Sequence, residues 1–117
     1  MRFSVYQESR KGGRRINQDR MGYCFTRDAL LMVLADGLGG HALGEVAAQQ
    51  ALQTLARQFQ TQARPAIRNP ADFLQDTIML AHREIHRYAE ANRLADIPRT
   101  TVVCCLIQHG QIHWAHA

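Results

Sequence analysis

The 117-residue sequence has no long hydrophobic run, which a membrane-spanning protein would need, and only three cysteines, too few for a disulfide-rich secreted protein. Its longest apolar stretches, 29–35 and 102–107, are far shorter than the roughly 20 residues of a membrane-spanning helix. No apolar signal core follows Arg2, so export is not expected. The three cysteines, with Cys104 and Cys105 adjacent, are an odd number and do not form a disulfide framework. These absences predict a cytoplasmic protein with reduced thiols and no membrane association.

Acidic residues are scarce at the N-terminus, where the positive charge of the chain is concentrated. Lys and Arg outnumber Asp and Glu by 14 to 10, which gives a formal charge of +4. Glu8 and Asp19 are the acidic residues among the first 20. The basic residues of the same segment are Arg2, Arg10, Lys11, Arg14, Arg15 and Arg20. Such a cluster fits a basic arm for nucleic acid or membrane, and it also fits a local pocket for an anion.

The first part of the chain has the pattern of β-strands. Short strands are predicted at residues 3–7 and 21–27. A hairpin turn at Arg27–Asp28 leads into the apolar run 30–35, which is typical of a strand buried on both faces. This strand is expected to end at Asp36, where a glycine-rich segment begins.

Two helices are predicted in the middle of the chain. An apolar residue at every fourth position predicts a first helix from about Ala42 to Thr61. Asn69 is a good N-cap for a second helix, with Pro70 at its first position, and this helix ends before Pro98. The apolar stripes consist of Leu43, Ala47, Ala51, Leu55 and Phe59 in the first helix, and of Leu74, Ile78, Ala81, Ile85 and Tyr88 in the second.

A final pair of strands is predicted after the helices. Residues 101–107 have the pattern of a central strand, His109–Gly110 that of a tight turn, and 111–116 that of the hairpin partner. Trp114, the single tryptophan, is expected in the core. Strands, then two consecutive helices, then strands favour an α+β fold over a doubly wound sheet.

The segment 34–41, Leu-Ala-Asp-Gly-Leu-Gly-Gly-His, is the most informative part of the sequence. A strand that ends at Asp36 fixes a carboxylate, and Gly37 lets a backbone carbonyl turn toward a hard cation. An equally good interpretation is a strand-to-helix turn in which Asp36 caps the following helix. A nucleotide loop fits poorly, because the segment lacks the Lys-Ser/Thr of a Walker loop and the dinucleotide glycine spacing.

Two other segments carry little signal when each is taken alone. Residues 14–19 read Arg-Arg-Ile-Asn-Gln-Asp, and a polar turn is their simplest interpretation. Arg14 nevertheless offers planar donors that suit a phosphate, and Asp19 could serve a metal or its water shell. The third segment is Thr100–Thr101, which leads into an apolar strand.

In their order and spacing, the three segments resemble the PPM family, the metal-dependent type 2C serine/threonine protein phosphatases. The bacterial motif Arg-x-x-Asn-Gln/Glu-Asp is matched at residues 14–19. The motif Asp-Gly-x-Gly-Gly-His followed by Gly-Glu is matched at 36–41 and 44–45, and Thr100–Thr101 follows the helix pair as in the family. The ending 114–117 and the short loops resemble bacterial stand-alone phosphatases, including those that counter the kinase of type VI secretion.

The resemblance implies a four-layer αββα sandwich, of which residues 1–117 would be the N-terminal part, a single partial domain cut before a Gly-Asp-Ser-Arg motif. It implies hydrolysis of phosphoserine and phosphothreonine in proteins by metal-activated water, with two Mg²⁺ or Mn²⁺ ions. Asp36 would bridge the metals and the Gly37 carbonyl would bind one of them. Asp19 would order the water on the metal or reach the metal directly, and Arg14 would bind the substrate phosphate. A cognate serine/threonine kinase is the implied partner.

Two departures from the family pattern bear on these expectations. Leu38 stands where eukaryotic members have the His that is thought to protonate the leaving group. The remaining metal ligands would follow Ala117, so apolar surface and sheet edges are expected to be exposed. An inactive module of the same fold, which binds a phosphoprotein or partner through Arg14, is the alternative function. Nucleic-acid binding fits poorly, because the basic cluster is not interleaved with exposed aromatic residues.

Overall fold

A computed structural model describes residues 19–38 and 41–117, and shows a four-stranded antiparallel sheet with two helices. The predicted strand at residues 3–7 lies outside the described residues. The elements in chain order are β1 (Asp19–Phe25), β2 (Ala29–Leu38), α1 (His41–Gln62), α2 (Pro70–Ala91), β3 (Arg99–Gln108) and β4 (Gln111–His116). The predicted order of two strands, two helices and two strands is confirmed for these ranges.

The sheet is a meander in which each strand pairs with its neighbours in the order β1-β2-β3-β4. The β1–β2 turn is closed by the Thr26 hydroxyl, which accepts the backbone N–H groups of Asp28 at 3.2 Å and Ala29 at 3.1 Å. The β3–β4 turn has positive φ at His109 (51°) and at Gly110 (73°), the geometry that two-residue hairpins prefer. Both turns are where the sequence predicts them.

The helices follow the predicted stripes closely. Ala47, Ala51, Leu55 and Phe59 of α1 are at most 1% exposed. At the start of α2, the Asn69 side chain accepts the Asp72 N–H, and Pro70 occupies the first turn. In the part of the chain that the structure describes, neither helix is long and apolar enough to cross a membrane.

Both helices lie on one face of the sheet, and the core fills the space between the helices and the sheet. Its members include Leu31, Val33, Ala35, Ala51, Leu55, Phe59, Phe73, Leu74, Ala81, Val102, Cys104 and Leu106. We call this side the covered face. The pairing register puts Ala35 opposite Val102 and Val33 opposite Cys104, so the central strands present these side chains together.

The opposite side, the open face, carries apolar side chains that no described element covers. Met32, Leu34, Val103 and Trp114 are 39%, 42%, 47% and 66% exposed. Two expectations were therefore wrong: the run 30–35 is not buried on both faces, and Trp114 is not in the core. The physical reason is that apolar character shows that a residue can be buried, but does not show which element of the structure would cover it. The expected exposure of apolar surface is confirmed.

Candidate functional site

The candidate site lies on the open face, near the end of β2, where three strands bring predicted residues into one row. The register pairs Asp36 of β2 with Asp19 of β1 on one side and with Thr101 of β3 on the other. The Thr101 hydroxyl also donates to the Asp36 carbonyl oxygen at 3.4 Å. Residues from three separate segments of the sequence are thus brought together by strand pairing.

Asp36 is held within a strand rather than at its end. β2 continues through Gly37 to Leu38, and α1 begins at His41, so Asp36 does not cap the helix. The interpretation of Asp36 as an N-cap and the predicted strand end at Asp36 were both wrong. Asp36 is half-buried and its Oδ1 atom is withdrawn from solvent, which places a carboxylate in a partly dehydrated position at the rim of an apolar face.

Gly37 is required by a close approach of two backbone segments. A Cβ atom at Gly37 would lie 2.1 Å from the carbonyl oxygen of Gly44 and 2.9 Å from its Cα. Gly44 belongs to α1, so the contact between the two glycines positions the helix against the end of β2. Gly37 needs no special φ, since its backbone continues the strand. The spacing between Asp36-Gly37 and Gly44-Glu45 in the sequence is therefore explained by the contact between Gly37 and Gly44.

Of the other predicted residues, the structure describes Asp19 and Leu38 but not Arg14. Arg14 lies outside the described residues, so its predicted role as phosphate ligand stays a prediction. Asp19 is placed by its backbone as the first residue of β1, opposite Asp36. Leu38 is 43% exposed at the end of β2 and has no group that could donate a proton.

A cavity of about 480 Å³ lies beside this row, and sequence reasoning did not identify it. Its wall includes Leu38, Thr100 and Thr101, together with His82 and His86 of α2. The two histidine rings are 4.4 Å apart. Their four-residue spacing on a helix is the signal in the sequence that could have indicated this pair. His82 is exposed, whereas His86 is half-buried.

The three cysteines are not suited to act as nucleophiles. Burial raises the pKa of Cys24 and of Cys104 to about 11, and burial also raises the pKa of Cys105. All three thiols are free, as predicted, and Cys104 is buried. Because the thiolate is the reactive form, these residues are poor candidates for a covalent phosphoryl acceptor.

The oxygen chemistry of the row fits a hard divalent cation, although it supplies only part of a ligand set. Asp36 offers a carboxylate and Gly37 a backbone carbonyl, the ligand types that Mg²⁺ and Mn²⁺ take. Among the residues 19–38 and 41–117, no group of three or more His, Cys, Asp or Glu side chains is placed to hold a metal ion. Further oxygen ligands from elsewhere are therefore needed for tight binding.

The chain is similar to known proteins in both sequence and fold. The model of the family "Protein phosphatase 2C" matches residues 7–116. A serine/threonine phosphatase stp from Listeria innocua is 31% identical over 98 residues, which cover 82% of this chain and 39% of that protein. The chain thus spans about two fifths of the length of the curated relatives it matches.

Solved structures show the same fold. The Mycobacterium tuberculosis serine/threonine phosphatase PstP/Ppp superimposes with a TM-score of 0.73 at 25% identity, over 89% of this chain and 41% of that one. A bacterial serine phosphatase that carries an arginine-to-glutamate substitution gives 0.81 at 26% identity, over 97% and 54%. The predicted α+β fold, as an N-terminal part of a phosphatase architecture, is thereby confirmed, and the chain belongs to the protein phosphatase 2C family, whose members are generally metal-dependent.

Proposed function

We propose that the chain contributes the N-terminal part of a metal-dependent protein serine/threonine phosphatase that acts on phosphoproteins and opposes a serine/threonine kinase. The observation that carries this proposal is the row of Asp19, Asp36 and Thr101 on adjacent strands. Membership of the protein phosphatase 2C family supports it. Free thiols agree with a cytoplasmic location. The association with type VI secretion stays a prediction from the sequence.

Each residue has a distinct part in the proposed chemistry. Asp36, through its carboxylate, and Gly37, through its carbonyl oxygen, would hold Mg²⁺ or Mn²⁺, and Asp19 would orient water or join the ligand set. The ions would supply Lewis-acid activation of water and neutralise charge on the phosphoryl oxygens. Arg14 holds the substrate phosphate through charge-assisted hydrogen bonds. Leu38 leaves the protonation of the leaving alkoxide to solvent or to another group.

The experiment compares phosphate release from a phosphothreonine peptide, with Mn²⁺ and with chelator, in the polypeptide as its gene encodes it. Asp36→Asn keeps the shape of the side chain and removes its charge, and the exposed Asp76→Asn on α2 is the matched control. We expect Mn²⁺-dependent release that falls by at least about a hundredfold in Asp36→Asn, since a ligand of the reacting centre is lost. Chelator-resistant release, or release that Asp36→Asn leaves unchanged, contradicts the proposal.

Binding of Mn²⁺ gives a second readout that does not depend on turnover. Electron paramagnetic resonance of free Mn²⁺ during a titration measures how much of the ion each variant takes up. We expect weak uptake that Asp36→Asn abolishes and Asp76→Asn preserves. Phosphopeptide binding through Arg14 with no release under any condition would instead identify the inactive module of the same fold.

A further inference from the structure

A second cavity, of about 830 Å³, lies at the other end of the sheet, where the two hairpin turns meet the connector between the helices. We call it the turn-end pocket. The seven steps along β2 from Asp36 to Ala29, at roughly 3.3 Å each, separate the two ends of the strand by about 23 Å. Its lining includes Arg27, Asp28, Arg64, Arg68, Gln108, His109 and His113. It is therefore a separate place from the metal-binding row.

Positive charge dominates the turn-end pocket. Arg27, Arg64 and Arg68 line it, against a single carboxylate, that of Asp28. Asp28 forms an ion pair with Arg27 at 3.4 Å, so it offsets that arginine. Within the described ranges, neither Arg64 nor Arg68 takes part in an ion pair. Two guanidinium groups are thus left to face the cavity with uncompensated charge.

The wall that carries these arginines is tied to the sheet. Gln108 is 4% exposed, and its side-chain amide exchanges two hydrogen bonds of 2.8 Å with the backbone N–H and C=O of Ile67. The Thr26 hydroxyl donates to the Pro65 carbonyl oxygen. Arg64 is restrained as well, since its Nε donates to the Thr61 carbonyl oxygen at 3.1 Å. These bonds fix the segment 64–68 before any ligand arrives, which lowers the entropic cost of binding.

The N-terminus of α2 adds to the same potential. Pro70, the first residue of the helix, lines the pocket, so the positive end of the helix dipole lies beside the arginines. The planar guanidinium group binds carboxylate and phosphate oxygens through two parallel hydrogen bonds, and of these two anions phosphate carries the larger charge. The pocket has the charge and the donors for a phosphate group.

We infer that the turn-end pocket binds a phosphate group carried on a phosphorylated polypeptide, at a docking site separate from the catalytic row. The choice of a polypeptide as the carrier rests on the proposed function, whereas the preference for an anion rests on the arginines and on the N-terminus of α2. Arg64 and Arg68 contact the phosphate, and Arg27 supports them from the β1–β2 turn. A substrate that carries more than one phosphorylated residue is thereby held by one of them while another is presented to the row of Asp19 and Asp36.

The test is fluorescence anisotropy of a labelled phosphothreonine peptide with the full chain, in chelator, so that metal contributes nothing. Arg64→Gln/Arg68→Gln removes the proposed contacts, and Arg57→Gln/Arg83→Gln makes the same charge change on exposed helix positions. We expect the first pair to weaken binding about tenfold or more and the second to change it less than about twofold. The unphosphorylated peptide should bind more weakly than the phosphorylated one by a similar factor.

Arg14→Gln separates this inference from the proposed function. If Arg14→Gln abolishes peptide binding and Arg64→Gln/Arg68→Gln does not, the docking site is overturned while the phosphatase proposal stands. If the peptide binds equally well with and without its phosphate, the inference is also overturned. If inorganic phosphate binds as tightly as the phosphopeptide, and Arg64→Gln/Arg68→Gln abolishes its binding, the claim that the phosphate is carried on a polypeptide is overturned. If an inactive Asp36→Asn protein still binds the phosphopeptide, and Arg64→Gln/Arg68→Gln weakens that binding, the inference is supported even where the proposed function fails.

Discussion

The two faces of the sheet are alike in sequence and opposite in environment. On β2, Leu31 lies on the covered face and is 0% exposed, whereas Leu34 lies on the open face and is 42% exposed. On β3, Leu106 is 0% exposed and Val103 is 47% exposed. Apolar side chains therefore lie on both sides of the sheet, and among the described elements it is the helices that bury one of the two sides. An apolar residue in a strand indicates that it can pack against a second layer, and residues 19–38 and 41–117 supply that layer on the covered face.

The candidate site, the row of Asp19, Asp36 and Thr101, lies on the less covered side. Asp36 shares the open face with Leu34 and Leu38, so a layer that covered this face would also close over the carboxylate. The relatives are about twice as long as this chain or longer, since it spans 41% and 54% of the two solved phosphatases. A covering layer from the remaining part of such a domain would both bury the apolar surface and bring further metal ligands.

The sharpest contrast between the faces is expected from two leucines of one strand. Leu31→Ala should lower the free energy of unfolding by about 2–5 kcal/mol, because it leaves a cavity under the helices. Leu34→Ala should cost about 1 kcal/mol or less, since much of this side chain is already in water. Urea unfolding followed by circular dichroism measures both. Equal costs would mean that the open face is covered in solution.

The next contrast compares two glycines of the covered side. Gly37→Ala would bring a Cβ to 2.1 Å from the Gly44 backbone, so strand or helix must move, at about 1–3 kcal/mol. Gly22→Ala meets the end of the flexible Leu52 side chain at 2.9 Å and should cost under about 1 kcal/mol. Urea midpoints rank the two variants. A Gly37→Ala protein as stable as the wild type would show that this contact does not position α1.

A smaller effect on folding is expected from a charge on the open face. Trp114 is 66% exposed and stacks on His116, so Trp114→Lys should change the free energy of unfolding by no more than about 0.5 kcal/mol. Self-association should nevertheless decrease, because a contiguous apolar patch is interrupted. Sedimentation velocity over a range of concentrations measures this. A wild-type chain that stays monomeric throughout would refute the idea that the open face drives association.

Local signals in the sequence predicted much of the fold. The four-residue stripe of α1, the Asn69 cap of α2 and the turn at His109–Gly110 were correct because each depends on residues close together in the chain. The end of β2 was wrong. Asp36 remains in the strand because β1 and β3 pair with it on both sides, and Gly37 remains in it because β3 pairs with it. This pairing outweighs the poor strand propensity of both residue types.

The site was less predictable than the fold, for a geometric reason. The sequence predicted Asp19 and Asp36 as partners only through the family resemblance, whereas the register places them opposite each other. Thr101, 65 positions after Asp36, joins them only through sheet pairing. The turn-end pocket gave no signal at all, since Arg27, Arg64 and Arg68 come from segments that meet only once the sheet and the connector are in place.

The smallest expected effect separates two adjacent thiols. Cys104 lies on the covered face, and burial raises its pKa from 9.0 to about 11, whereas Cys105 lies on the open face and is partly accessible. At pH 8 an aromatic disulfide reagent should label Cys105 first, and a Cys105→Ser variant should lose this early phase. Burial favours the neutral thiol of Cys104, so the folded state holds this proton more tightly than the unfolded state does. The resulting contribution of Cys104 to the free energy of unfolding is complete below pH 9 and is lost as the pH rises through about 11. The reagent reaches Cys104 at pH 8 only when the helices move away from the sheet, so the labelling rate of Cys104 measures this opening. Equal labelling rates at Cys104 and Cys105 would contradict the burial of Cys104 under the helices.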